Sequence, residues 1–156
     1  MMKLPLLATP LLAALLLSTS SCAKKDDPAA SPATGTGSYT LDGRAVTSKA
    51  TAVVNTTRTT TGQTYDVLDV QLVTTPQPAS GPETVDLVFQ KPTGQPSAAY
   101  QLNTISLLNA GRTQSISYAN DATTLTTTSG GGFSGTFSAT ATGSAIRSGV
   151  FTDVRP

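Results

Sequence analysis

From Phe133 to Thr142 the chain alternates without a break. Phe133, Gly135, Phe137, Ala139 and Ala141 fall on one face, and Ser134, Thr136, Ser138, Thr140 and Thr142 fall on the other. A period of two belongs to a β-strand with one dry and one solvated face. The pattern recurs at Leu68, Val70 and Leu72, between Asp66 and Val73, and again at Val85, Leu87 and Phe89. Beyond residue 22 no stretch places apolar residues at helical spacing over three turns. Turn signals separate the alternating runs. Asp42-Gly43 predicts a tight hairpin between Ser38–Leu41 and a strand starting at Arg44. Thr61-Gly62, Ala110-Gly111, Asn120-Asp121 and Gly143-Ser144 read as further turns. Two longer loops carry proline, at 75–82 (Pro76, Pro78, Pro82) and 91–97 (Pro92, Pro96), and must lie outside the sheet or at its edge. The segment 103–114, with Ile105, Leu107 and Leu108, reads either as a strand or as a short helical turn. Residues 38–156 are thus expected to form one all-β domain, an antiparallel sandwich or barrel. Roughly seven to nine strands with mostly meander connections are expected. Threonine is the commonest residue, and its stiff β-branched side chain supports the same reading.

The start of the chain follows a different pattern. Lys3 supplies a positive charge, Leu4 to Leu17 an apolar run, and Ser18 to Ser21 small residues, the order of a secretory signal. The run covers fourteen residues and is interrupted by Pro5 and Pro10. That is short of the roughly 20 a spanning helix needs. The only cysteine, Cys22, closes the segment. This arrangement resembles a bacterial lipoprotein leader. The resemblance implies that residues 1–21 are removed and that the Cys22 thiol carries lipid. Ser21-Cys22-Ala23 also fits ordinary small-x-small cleavage, which would cut after Ala23 and release an unlipidated protein. Lys24, Lys25, Asp26 and Asp27 follow at once and resemble the export tag of surface-exposed lipoproteins in Bacteroidota-type bacteria. Residues 22–37, rich in Ala, Pro, Ser, Thr and Gly, have too little apolar surface to offset ordering entropy and read as a tether.

Three short motifs extend the resemblance. Leu41-Asp42-Gly43-Arg44-Ala45, Gly135-Thr136-Phe137 and Gly149-Val150-Phe151-Thr152 resemble small Bacteroidota-type lipoproteins of unknown function. These have a lipobox, a polar tether and one β-sandwich-like domain. The resemblance implies an outer-membrane, lipid-anchored and surface-displayed protein, with a secreted or periplasmic form as the alternative. It brings no catalytic residues.

The chemistry available is narrow. Histidine is absent, which excludes Ser-His-Asp and Cys-His catalysis and His-ligated metals. Gly132-Phe133-Ser134-Gly135 falls short of a nucleophile elbow, because Thr136 stands where the final glycine belongs. Asp66 and Asp69 lie three apart on a strand and hence on opposite faces, as do Glu83 and Asp86. No calcium loop of alternating Asp appears. No catalytic residue, metal site or cofactor is assigned. Ten Lys and Arg stand against nine Asp and Glu, and Lys3 lies in the leader, so the remainder balances. A balanced chain argues against a nucleic-acid partner. An envelope protein or a glycan remains. Tryptophan is absent, so any aromatic platform falls to tyrosine; Tyr100 and Tyr118, each beside a loop or turn, are the candidates for ligand contact. The run Thr123 to Thr128 reads as a solvated strand face. Two functions stay open, a non-catalytic binding or shielding module and an accessory subunit of an envelope complex contacting its partner by sheet edge or loops.

Overall fold

The computed structural model describes residues 34–59, 61–109 and 112–156. Eight strands run in sequence order and close on themselves into an antiparallel barrel. They are β1 (Gly35–Leu41), β2 (Arg44–Arg58), β3 (Thr64–Thr74), β4 (Thr84–Pro92), β5 (Gln101–Leu108), β6 (Ile116–Thr127), β7 (Phe133–Ala141) and β8 (Ser144–Val154). A single 3-10 turn, Ser97–Ala99, lies between β4 and β5. The all-β meander read from the sequence is therefore the fold, in its barrel form. The leader, Cys22 and the tag Lys24, Lys25, Asp26 and Asp27 lie outside the described residues.

The alternating runs do what their period demands. Leu68, Val70, Leu72, Val85, Leu87 and Phe89 are fully buried inside the barrel, with Ile105, Leu107, Ile146 and Phe151 across from them. A barrel of about eight strands has an interior just wide enough for side chains to fill, and here aliphatic and aromatic groups fill it. β7 and β8 show how the Gly-x-Phe motifs serve that packing. Gly135 pairs with Phe151, and Phe137 pairs with Gly149. A Cβ at Gly135 would come within 2.6 Å of the Phe151 ring, and one at Gly149 within 2.5 Å of the Phe137 ring. Each glycine gives up its side chain so that the ring opposite can lie across it.

The Asp42-Gly43 hairpin forms as expected, with φ of 50° and 84° at the two turn residues, the mirror-image turn that suits strand twist. Segment 103–114 begins as strand, with β5 running to Leu108. Other boundaries differ from the sequence reading. β1 begins at Gly35, inside the stretch expected to be tether. Glycine disfavours strands, yet a Cβ at Gly37 would meet Leu72 and the Ser48 hydroxyl at 2.6 Å, so close packing favours it here. Asn120-Asp121 is no turn; it is a bulge within β6, where the pairing with β7 slips by one residue. Lys91 and Pro92 belong to the end of β4 rather than to the loop after it.

Two seams are short. β5 pairs with β6 only through Ile105, Ser106 and Leu107. β1 reaches only as far along β2 as Ala50, so among the described residues Thr51 to Arg58 of β2 pair with β3 alone.

Candidate functional site

Strands β3 and β4 carry four charged groups whose positions the register decides. Asp66 lies directly opposite Lys91, and both face inward, two residues beyond Leu68 and Phe89. The Lys91 ammonium donates to Asp66 Oδ2 at 2.5 Å, while Thr93 and Thr56 hydroxyls donate to Oδ1 at 3.0 and 3.3 Å. Lys91 is buried, and its nitrogen stands 5.2 Å from the centre of the Tyr100 ring. Tyr100 in turn meets Phe133 edge-on at 5.8 Å. The Lys91 hydrogen bond, with help from Thr93, holds the Asp66 carboxyl below the ordinary range; burial pushes the Tyr100 phenol up. This cluster closes one end of the barrel. Its cation is neutralised in place and shielded by an aromatic face, an arrangement that stabilises and leaves no free acid or base.

On the outer wall of the same strands the arrangement is reversed. Asp69 sits opposite Val88, and Asp86 lies two residues along, so the two carboxylates are diagonal neighbours. Such positions are about 7–8 Å apart. One oxygen of each is shielded from solvent and has no hydrogen-bond partner. Burial raises the Asp69 carboxyl; burial and the neighbouring Asp69 push Asp86 up to about 6. The spacing suits a carboxylate pair, yet neither residue lines the hollows beside Gln114, Tyr65 or Ser148. Sequence spacing separates Asp66 from Asp69 and Glu83 from Asp86 correctly, but the pairing of Asp69 with Asp86 depends on the β3–β4 register.

The two candidate tyrosines do not share a site. Tyr100 belongs to the Lys91 end. Tyr118 lies near the opposite rim, its ring buried and its hydroxyl 2.7 Å from the Ser144 hydroxyl. Ser144 donates on to Asp42, whose Oδ1 also accepts the Ala145 amide at 2.6 Å. Tyr118 thus ties the β1–β2 and β7–β8 hairpins together and offers no open face to a ligand. The other acids are similarly engaged: Asp121 with Arg147 and Thr140, Asp153 with Arg155, and Glu83 with Arg44. The Arg147 hydrogen bond holds Asp121 below its ordinary value. Among the described residues no three His, Cys, Asp or Glu converge as metal ligands, and no helix is long and apolar enough to cross a membrane.

A hollow of about 570 Å³ forms a groove on the outer wall near the Lys91 end. Tyr65, Gln90, Pro92, Gln101 and Asn103 line it. Tyr65 is half-buried and donates to the Gln63 side chain at 3.0 Å. An aromatic ring bordered by amides and no charge is the composition that suits a neutral polar ligand. Alternation places Tyr65 on the outer face in the sequence, because Asp66 and Leu68 bracket the inner one. The missing signal was the register that brings Gln90 and Gln101 beside it. No protein-family model, curated protein or solved structure matches the chain.

Proposed function

We propose that this chain is a lipid-anchored envelope protein, displayed at the cell surface, whose β-barrel acts as a non-catalytic binding or shielding module. The observation that carries this reading is the filled interior. With Leu68, Leu87, Phe89, Ile146 and Phe151 packed together inside, the barrel has no lumen for a ligand, and contact falls to the outer wall and rims. An apolar inside with Thr, Ser, Gln and Asp outside is also the reverse of a membrane-spanning barrel, whose outer band is apolar. It suits a domain held in water by a leash. The anchor rests on Cys22 and the residues around it.

The Tyr65 groove supports a neutral glycan as the ligand class. Ring stacking combined with amide hydrogen bonds needs no charge from either side. The engaged state of Asp42, Asp66, Asp121 and Asp153 favours a structural role for these acids over a catalytic one.

Intact mass of the protein extracted from its native membrane tests the anchor. A mass that begins at Cys22 and includes acyl chains is expected; a mass beginning at Lys24 without lipid would overturn it. For the groove, NMR titration with neutral oligosaccharides should move the resonances of Tyr65, Gln90 and Gln101 and leave Tyr118 still. Shifts confined to other surfaces, or none at all, would remove the glycan reading.

A further inference from the structure

The hairpin of β2 and β3 projects past the start of β1. Among the described residues, 51–58 of β2 have β3 on one side and no strand on the other. The alternation of an antiparallel ladder decides which backbone groups that edge leaves free. Leu41 and Arg44 flank the two-residue turn and bond to each other, so odd residues of β1 bond to even residues of β2. Two bonds on the far sides agree with this parity. The Asp42 N–H donates to the Ala145 carbonyl of β8 at 3.0 Å, and the Thr47 carbonyl accepts the Thr75 N–H just past β3 at 2.8 Å. The free edge therefore presents the N–H and C=O groups of Ala52, Val54 and Thr56, while those of Val53 and Asn55 turn to β3. Residues 50–57 contain no charge and no proline, the usual means of blunting an edge. Val53 and Val54 stand on its two faces, 51% and 39% exposed.

We infer that residues 29–33 of the same chain continue β1 along this edge, as the strand that β2 lacks. Gly35 pairs with Ala50, so a strand extended backwards from Gly35 meets Thr51 and then Ala52. No other occupant starts with its direction and register already set. The register puts Ala33 opposite Ala52, Ser31 opposite Val54 and Ala29 opposite Thr56. These three positions must supply both an N–H and a C=O, and none is proline. Pro32 and Pro28 fall between them, opposite Val53 and Thr57, where the backbone nitrogen points away from β2. Proline in a sheet belongs on such a side, where no donor is needed. A slip of one residue would set both prolines where the edge requires a donor. The faces agree as well. Ala52 and Val54 pair with the buried Val70 and Leu68, so Ala33 and Ser31 join the inner face as small residues, and Pro32 comes beside Val53 outside. Main-chain bonds to an edge already in order offset the entropy that such a segment cannot recover by burial. The gain is modest, so the pairing weakens from Ala52 toward Thr56. The inference goes beyond the proposed function, and the pairing stands without the lipid. With lipid on Cys22, which rests on that function, the free leash shrinks to 23–28, a reach of about 13 Å, and the barrel is held by its β2–β3 end.

Amide hydrogen exchange of the full chain in mild detergent, followed by NMR at several protein concentrations, tests the pairing. The Ala52 and Val54 amides should exchange slowly and equally so at every concentration, with protection declining at Thr56. A cross-peak between the α-protons of Pro32 and Val53 should report the register, because that pair is of the closer, non-hydrogen-bonded kind. Two proline variants test the parity. Ser31→Pro removes a donor aimed at β2 and should abolish protection at Val54 and Thr56. Ala30→Pro, one residue away, alters a nitrogen that points outward and should leave the protection of the parent. The Val53 and Asn55 amides, bonded to β3, should stay protected in both variants and so show that the hairpin is folded. Free exchange at Ala52 and Val54 in the parent chain would overturn the inference. Protection that grows with protein concentration would assign the edge to a second copy and overturn it too. So would protection that survives Ser31→Pro, or that is lost equally in Ala30→Pro.

Discussion

Strands β3 and β4 set two pairs of charged side chains on their two faces, and the fates of the pairs are opposite. Inside, Asp66 and Lys91 face each other across the ladder with two hydroxyls and a tyrosine ring around them. Outside, Asp69 and Asp86 are diagonal neighbours of the same sign, each with an unpartnered oxygen. The inner carboxyl lies below its ordinary pKa and the outer ones above it. Burial alone does not decide what a charge costs; the partner opposite does. The inner pair can be enclosed because it is complete, whereas the outer pair stores repulsion that solvent only partly relieves.

Truncating the apolar side chains on these strands should separate the faces most sharply. Leu87→Ala opens a cavity among fully buried neighbours and is expected to lower stability by about 2–5 kcal/mol in chemical denaturation. Val88→Ala, one residue along and facing out, should cost under about 1 kcal/mol. Equal losses would mean that the barrel interior is not the core.

Next comes the inner pair. Lys91→Met keeps the packing of the stem and removes the ammonium. The Asp66 carboxyl should then titrate higher by NMR, and the protein should lose stability at pH 7, because a carboxylate is left with hydroxyl partners only. An unmoved Asp66 titration would show that Thr93 and Thr56, rather than the cation, set its state.

How far the sequence reveals these faces can be argued residue by residue. Period two places Leu68, Val70 and Leu72 correctly and separates Asp66 from Asp69, because direction within one strand is a local property. Which residue lies opposite another is not local. The pairs Asp66–Lys91 and Asp69–Asp86, like the Tyr65–Gln90–Gln101 groove, depend on a register fixed by the whole barrel. The proline after Lys91 suggested a loop, yet Pro92 only ends the strand, where no further ladder donor is needed. In the sequence Tyr118 stands beside an expected turn and is open to a ligand, but Asn120-Asp121 is a bulge and the ring faces inward. Gly35 and Gly37 look like tether because glycine weakens strands, and only close approach, of Gly37 to Leu72 and Ser48 and of Gly35 to Thr152 and Val154, explains their place in β1.

The outer pair gives the smaller effect and the clearest pH signature. Asp86 in the folded protein takes up its proton near pH 6, whereas in the unfolded chain it does so near the ordinary aspartate value of roughly 3.9. Between those values the folded state binds more protons than the unfolded one, so stability rises as pH falls from about 6 to about 4. Asp66 acts in the other sense. Its depressed pKa contributes stability at neutral pH that is lost as pH falls below the ordinary aspartate value. Denaturant midpoints should therefore be highest near pH 4–5 rather than at neutrality. Asp86→Asn should remove the slope between pH 6 and 4, and at pH 7 should stabilise by about 1 kcal/mol after allowance for solvent screening. Asp69→Asn should lower the titration point of the remaining Asp86 carboxyl. Both substitutions leave the inner pair intact, so the loss on the acid side must persist in them. If Asp86→Asn destabilises at pH 7, the outer carboxylate has a partner that offsets its burial, and the contrast between the two faces fails at that residue.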